Sequence, residues 1–296
     1  MLEFTKNMET AFFPASLTLQ QKTGQYAFRR SNEKIIFIGG TDQSYSLYSN
    51  KIYELDIPTS KVSQIGKLNV GRTGFTVNQV GDHLFIIGGQ TKNFEHLNSV
   101  ERLNFTNAKD CKLMEPMSKP RSGHISWTSP DNKKIFVAGG RSKKGEAPLS
   151  CCEVYDVDTR KWTDHKTSLS VPIHGAKTLN HKDGKTLLVF GGATGAVGLD
   201  SSVSEVKSID RANFNGFDPK PVFSMSQKRY KPFVILGGNE DVIIVIGGSK
   251  VPILEAFSYA DSKPIDANKL KIINDTVFLN LPMITDDVTL THFSGC

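Results

Sequence analysis

Seven histidines (His83, His96, His124, His165, His174, His181 and His292) and four cysteines (Cys111, Cys151, Cys152 and Cys296) are the side chains in this chain best suited to chemistry. Their spacing supports little of it. No HxH or HExxH places two imidazoles on one metal, and no CxxC or mixed Cys/His ligand spacing occurs. Cys151 and Cys152 are adjacent, so on a strand they face opposite sides, and all four thiols are expected to be reduced and structural. His124 and His174 both stand near the start of a candidate strand and are candidates to face a shared channel. They would have to converge to within roughly 4 to 5 Å to share a zinc ion at bonds of ~2.0 Å. Glu153 and Asp156 bring two acids together, but no histidine follows them closely, and Arg160 nearby is a cation that repels a metal. The glycine-rich GGATGAVG at 191–198 lacks the Lys-Ser/Thr and the helix that a phosphate loop needs. No catalytic residue, metal site or cofactor is therefore expected, and the chain is read as a non-enzyme.

The elements that position these residues are announced by a repeat. A short apolar run ending in two glycines occurs five times, at Gly39-Gly40, Gly88-Gly89, Gly139-Gly140, Gly191-Gly192 and Gly247-Gly248, at intervals of 49, 51, 52 and 56 residues. A near-constant period of this size marks a repeat architecture. Each run, such as Ile35-Ile36-Phe37-Ile38, is apolar at consecutive positions and β-branched or aromatic, which predicts a strand buried on both faces. A ring of sheets packed face to face supplies two apolar faces to every such strand. The paired glycines are expected where the backbone takes φ > 0 or approaches another backbone closely.

Further features keep the same phase. A first strand is opened by a basic residue near a glycine at Gly71-Arg72-Thr73-Gly74 and Pro120-Arg121-Ser122-Gly123, and more loosely at Pro172-Ile173-His174-Gly175 and Lys228-Arg229-Tyr230. A third strand ends in Asp or Asn at Asp56, Asn104, Asp156 and Asp210, where the side chain can cap a turn. A fourth strand is marked by Trp162, by Val62 and, in the fourth unit, by Phe217.

This pattern, an apolar run with Gly-Gly, then Tyr155-Asp156 and then Trp162, resembles the kelch repeat. The third unit, Arg121 to Trp162, matches almost fully; the other units keep the glycine pair but lose the tryptophan, and the fifth has Ala260 where Asp is expected. The resemblance covers residues from about 22 to 260 and implies an all-β propeller of four-stranded antiparallel blades. The units are read at 22–66, 67–115, 116–166, 167–223 and 224–275. A sixth, closing blade is expected from 276–296 together with 1–21, because Asp287 to Gly295 echoes Asp241 to Gly248 and Leu2-Glu3-Phe4 echoes a third strand. Five blades or an incomplete ring is the alternative.

The loops after second strands and those leading into first strands should share one face around the channel mouth. They carry Arg72, Lys119, Arg121, Arg141, Lys143, Lys144, Lys228, Arg229 and Lys231 against Asp42, Glu95 and Glu146, so that face is expected to be basic. Kelch substrate adaptors hold acidic peptides with arginines in these loops, and by that resemblance Arg72, Arg121 and Arg229, with Arg141 and Lys143, are the candidate partner-binding residues. The net charge of +6 (36 Lys plus Arg against 30 Asp plus Glu) favours an acidic partner but carries no nucleic-acid stripe. No apolar stretch approaches the ~20 residues of a membrane span, and MLEFTKNMETAFFPASL is not a secretory signal, so cytoplasmic residence is expected, with cytoskeletal association as a variant. The reading is a protein-binding platform for a peptide or loop. A structural subunit of a larger assembly and a small-molecule enzyme on the same scaffold are the alternatives.

Overall fold

The computed structural model describes residues 24–42, 46–196, 199–217, 220–237, 242–248, 254–261 and 263–265, with two short strands ahead of them, β1 (Glu3–Lys6) and β2 (Glu9–Phe12). Every apolar run becomes the second strand of a four-stranded antiparallel blade. The first blade is β3 (Tyr26–Arg29), β4 (Lys34–Ile38), β5 (Lys51–Asp56) and β6 (Lys61–Lys67), hydrogen-bonded in that order. The second is β7 (Thr76–Val80), β8 (His83–Ile87), β9 (Val100–Asn104) and β10 (Cys111–Met114), and the third is β11 (Ile125–Thr128), β12 (Lys134–Ala138), β13 (Cys152–Asp156) and β14 (Lys161–Asp164). The fourth is β15 (Lys177–Asn180), β16 (Thr186–Phe190), β17 (Val203–Asp210) and β18 (Phe223–Arg229), and the fifth is β19 (Phe233–Gly237), β20 (Val242–Ile246), β21 (Leu254–Ser258) and β22 (Pro264–Ile265). First strands of successive blades lie side by side, β7 by β11, β11 by β15 and β15 by β19, as the inner strands of a propeller do.

The burial of consecutive residues follows from this stacking. Ile35, Ile36, Phe37 and Ile38 are all essentially inaccessible, because alternate side chains enter separate cores on the two faces of the blade. Ile36 and Ile38 pack with Leu84 and Ile86 between the first and second blades. Phe85 and Ile87 pack with Ile135, Val137 and Tyr155 between the second and third, and Trp127 and Phe136 pack with Leu187 and Val189 between the third and fourth. Tyr155 sits opposite Trp162 in the β13/β14 register, their rings 5.2 Å apart, and the Trp162 indole Nε1–H reaches back 2.9 Å to the Glu115 carbonyl of the preceding blade. Asp156 caps its turn by accepting from the Thr159 backbone N–H (2.7 Å) and hydroxyl (2.9 Å), Asp56 and Asn104 likewise accept a threonine N–H and hydroxyl, and Asp210 accepts the N–H groups of Ala212 and Asn213.

Both glycines of each pair have positive φ, from 58° to 99°. The second glycine staples blades together: the N–H groups of Gly40, Gly89, Gly140 and Gly192 donate to the carbonyls of Arg72, Arg121, Ile173 and Arg229 at 2.8 to 2.9 Å. The first is packed so tightly that a Cβ on Gly139 would lie 2.4 Å from the Ile173 carbonyl oxygen. A second set of bonds runs blade to blade on the inner side, from the N–H of Gly123 to the carbonyl of Gly74, from Gly175 to Gly123 and from Lys231 to Gly175. Gly24, Gly74, Gly123 and Gly175 hold left-handed backbone there, and Lys231 holds the equivalent place at φ 52° without the freedom of a glycine.

Two expectations are corrected. The described residues form five four-stranded blades where six were expected, which is the alternative count. The closing strand expected near 287–295 lies outside the described residues, and β1 and β2 form a separate antiparallel hairpin. Phe217 does not mark the outer strand of the fourth blade. It is buried in the core between the third and fourth blades, and that strand is β18, which runs through Lys228 and Arg229, so the boundary read at 223 falls inside it.

Candidate functional site

Arg72, Arg121 and Arg229 are where the structure departs most from the basic-face expectation. All three side chains are fully buried. Each stands four residues ahead of its first strand and turns into its own blade. Arg121 Nη1 donates to the carbonyl of Gly139 (2.9 Å) and Nη2 to Glu153 on β13 (2.6 Å). Arg72 makes the same two bonds to Gly88 (2.9 Å) and Glu101 (2.5 Å), and Arg229 to Gly247 (2.5 Å) and Glu255 (2.5 Å). The glutamates also accept backbone N–H groups from the segment leading into the first strand: Asn69 and Val70 for Glu101, Ser118 and Lys119 for Glu153, Ser226 for Glu255. The arginine therefore clips the incoming loop, the glycine corner and the third strand together. Desolvation lowers the Arg72 pKa against the opposing pull of Glu101. These three arginines are structural in this fold and are not presented to a partner.

The repeats themselves confirm that role. In β16/β17 the residue paired with Val189 is Lys207, at the register where Glu153 pairs with Val137, and this fourth blade has Ile173 in the arginine place. Arginine and glutamate are thus lost together, as expected if neither is tolerated in the interior alone.

The other two candidate residues lie in the loop after β12. Lys143 is 77% exposed and loosely paired with Glu146 at 3.6 Å. Arg141 is half-buried and crosses to the next blade, where Nη2 donates to the carbonyls of Gly195 (2.9 Å) and Ala196. The glycine-rich stretch that is no phosphate loop therefore serves as an acceptor for Arg141. Beside it, the loop after β8 presents Phe94, 40% exposed and at φ 60°, with Lys144 Nζ 3.8 Å from the ring centroid. Phe94 was missed by reading the sequence; an aromatic residue in a polar loop next to Lys92 was the available signal.

His124 and His174 do not occupy equivalent places. The bridge of Ser122 with Arg141 corresponds to that of His174 with Ala193, so His174 precedes its glycine and His124 follows one. His124 Nε2 pairs with the Thr76 hydroxyl at 2.9 Å, and burial pushes its pKa down to about 3. His174 packs edge-on against Tyr230, with ring centroids 5.0 Å apart, and burial followed by the Arg141 charge brings its pKa to about 3. Among the described residues no group of three or more His, Cys, Asp or Glu could hold a metal ion, and no helix is long and apolar enough to cross a membrane.

Residues 25–248 match the model of the KLHDC2/KLHL20/DRC7 Kelch-repeats domain. An F-box/kelch-repeat protein of Arabidopsis thaliana is 27% identical over 125 residues, covering 42% of this chain and 32% of that protein. A Rho GTPase-activating protein of Dictyostelium discoideum is 28% identical over 150 residues, 47% of this chain and 10% of that protein. Kelch-like protein 15 of Homo sapiens is 25% identical over 119 residues, 40% of this chain and 19% of that protein. The chain spans a third or less of the length of these relatives.

Proposed function

Because the chain belongs to the kelch-repeat family, we propose that it is a non-catalytic platform that binds a protein partner through the loop face at the channel mouth. The observation that carries this reading is the pairing of Phe94 with Lys144, beside Lys143 and Arg141. A large apolar ring held exposed in left-handed backbone costs about 1–3 kcal/mol, and such strain clusters at ligand clamps. Aromatic residues, Phe included, and Arg are enriched at protein interfaces. With Arg72, Arg121 and Arg229 withdrawn into the blades, the charge around Phe94 is carried by Lys143, Lys144 and the half-buried Arg141, and Lys119 and Lys228 stay exposed in the other loops. An acidic peptide or loop is the complementary partner.

The test is a partner captured by the full chain, with its affinity then measured against variants. Arg141→Glu with Lys143→Glu should weaken binding at least tenfold, and raised salt should weaken the wild-type complex, whereas Lys112→Glu on the outer strand β10 should change neither. Loss of binding through Lys112 alone would refute the loop face. It would favour a second reading, a structural subunit held by the side of the disc, to which Leu113, 60% exposed on β10, lends support.

A further inference from the structure

A cavity of about 360 Å³ opens between the outer strands of the first and second blades, lined by Gly66 and Lys67 of β6, by Asn50 and Asn69, and by Lys109 and Cys111 at the start of β10. Its origin can be read from the repeat. Cys111 pairs with Leu103, two residues after Glu101, as Trp162 pairs with Tyr155, two residues after Glu153. In the third blade the Trp162 indole packs against the core it shares with the second blade and donates to the Glu115 carbonyl there. The second blade has a thiol at that place, and the smaller side chain leaves room.

The lining is cationic and lacks a counter-charge. Lys51 and Lys67 stand directly opposite each other in the β5/β6 register, and like charges so placed are destabilising. The neighbouring acids are already paired: Glu101 meets Arg72 at 2.5 Å, and Asp110 meets Lys112 at 3.2 Å. Among the described residues neither Lys67 nor Lys109 forms an ion pair. Cys111 adds no negative charge, since its thiol donates to Glu101 Oε2 and burial pushes its pKa up to about 12. Asn50 and Asn69 each use one side-chain N–H, on the Leu68 carbonyl (3.2 Å) and on Glu101 (2.9 Å), and each has a second to give. Two ammonium groups and two amide donors call for a ligand with several acceptor oxygens and two negative charges. A carboxylate balances one lysine only. A phosphomonoester carries a charge of about −1.5 to −2 near pH 7 and three acceptor oxygens. Lysine binds phosphate as a point charge, without the planar fork that favours arginine for carboxylates.

We propose that the cavity between β6 and β10 binds a phosphate group, its oxygens accepting from Lys67, Lys109 and the second amide N–H groups of Asn50 and Asn69. A small phosphorylated molecule and a phosphorylated side chain of a further protein share this chemistry. The site makes no use of Phe94, Arg141 or Lys143, so it stands or falls apart from the loop-face reading.

The test uses the full chain labelled with ¹⁵N-asparagine and follows the Asn50 and Asn69 side-chain amides during titration with inorganic phosphate and, at the same ionic strength, with acetate. Phosphate should shift both resonances saturably, and acetate should bind at least about tenfold more weakly, as the charge count requires. Lys67→Gln with Lys109→Gln should weaken phosphate binding at least about tenfold, whereas Lys161→Gln on β14 should leave it unchanged. Cys111→Trp, which gives the second blade the side chain of the third, should fill the cavity and abolish the shift; the lysine variants, altered only at exposed side chains, carry the test if it does not fold. Tighter binding of a phosphoserine-containing tripeptide than of inorganic phosphate assigns the cavity to a protein side chain, and the reverse order assigns it to a small phosphate. A response that never saturates, an equal response to acetate, or phosphate binding that survives the double lysine variant overturns the proposal.

Discussion

Removing one member of the Arg121 and Glu153 pair should be far more damaging than removing both. Arg121 and Glu153 are 0% and 1% exposed and meet at 2.6 Å. In Arg121→Met the Glu153 carboxylate keeps the Ser118 and Lys119 N–H groups but loses its counter-charge, and the Gly139 carbonyl loses a donor. Breaking a buried pair in this way costs about 3–5 kcal/mol, on the order of 10 °C in Tm for a domain of this size. Arg121→Met with Glu153→Leu should recover most of that loss, because replacing a whole buried pair by apolar side chains is often close to neutral. The fourth blade already folds with Ile173 in the arginine place. Urea denaturation of wild type, both single variants and the double variant, arranged as a double-mutant cycle, gives the coupling energy. A single-variant cost below about 1 kcal/mol, or a double variant no better than the worse single, would refute the clip as described.

Other consequences can be checked by the same means. Lys231→Gly should stabilise the fold by about 1 kcal/mol, read as a higher urea midpoint, since it relieves left-handed backbone where the other blades use glycine. Gly140→Ala should destabilise markedly, because its Cβ would stand 2.9 Å from the Ser122 carbonyl and its φ is 84°; an unchanged midpoint would contradict the packing. Burial holds the His124 pKa at about 3 against 6.5 for an unburied imidazole, so the unfolded chain binds the extra proton, and stability is present above about 6.5 and lost as pH falls toward 3. His124→Phe, the residue type at the equivalent Phe75, should flatten that acid limb in denaturation curves recorded between pH 7 and pH 4.

The fold was legible because its strongest determinants are local and periodic. Gly39-Gly40 and its four counterparts combine apolar runs with a backbone that only glycine readily supplies, and Asp156 and its equivalents cap turns within three residues. The site was less legible because charge alone does not report burial. Arg72, Arg121 and Arg229 read as surface cations, yet each has a glutamate 29, 32 or 26 residues on that sits inside the same blade. The shared absence of both partners from the fourth unit was the available clue. The bonds of Arg141 to the Gly195 and Ala196 carbonyls could not be read at all, since they join loops of different blades 54 and 55 residues apart. Phe217 misled because an aromatic residue after a turn fits an outer strand and a buried loop equally well.

The most direct measurement of the central claim is hydrogen–deuterium exchange of the full chain with and without its captured partner. Protection is expected in the loops around Gln90 to His96, Arg141 to Glu146 and Ala193 to Ala196, with β6, β10 and β14 unchanged. Protection confined to those outer strands, with the channel-mouth loops exchanging as before, would contradict it.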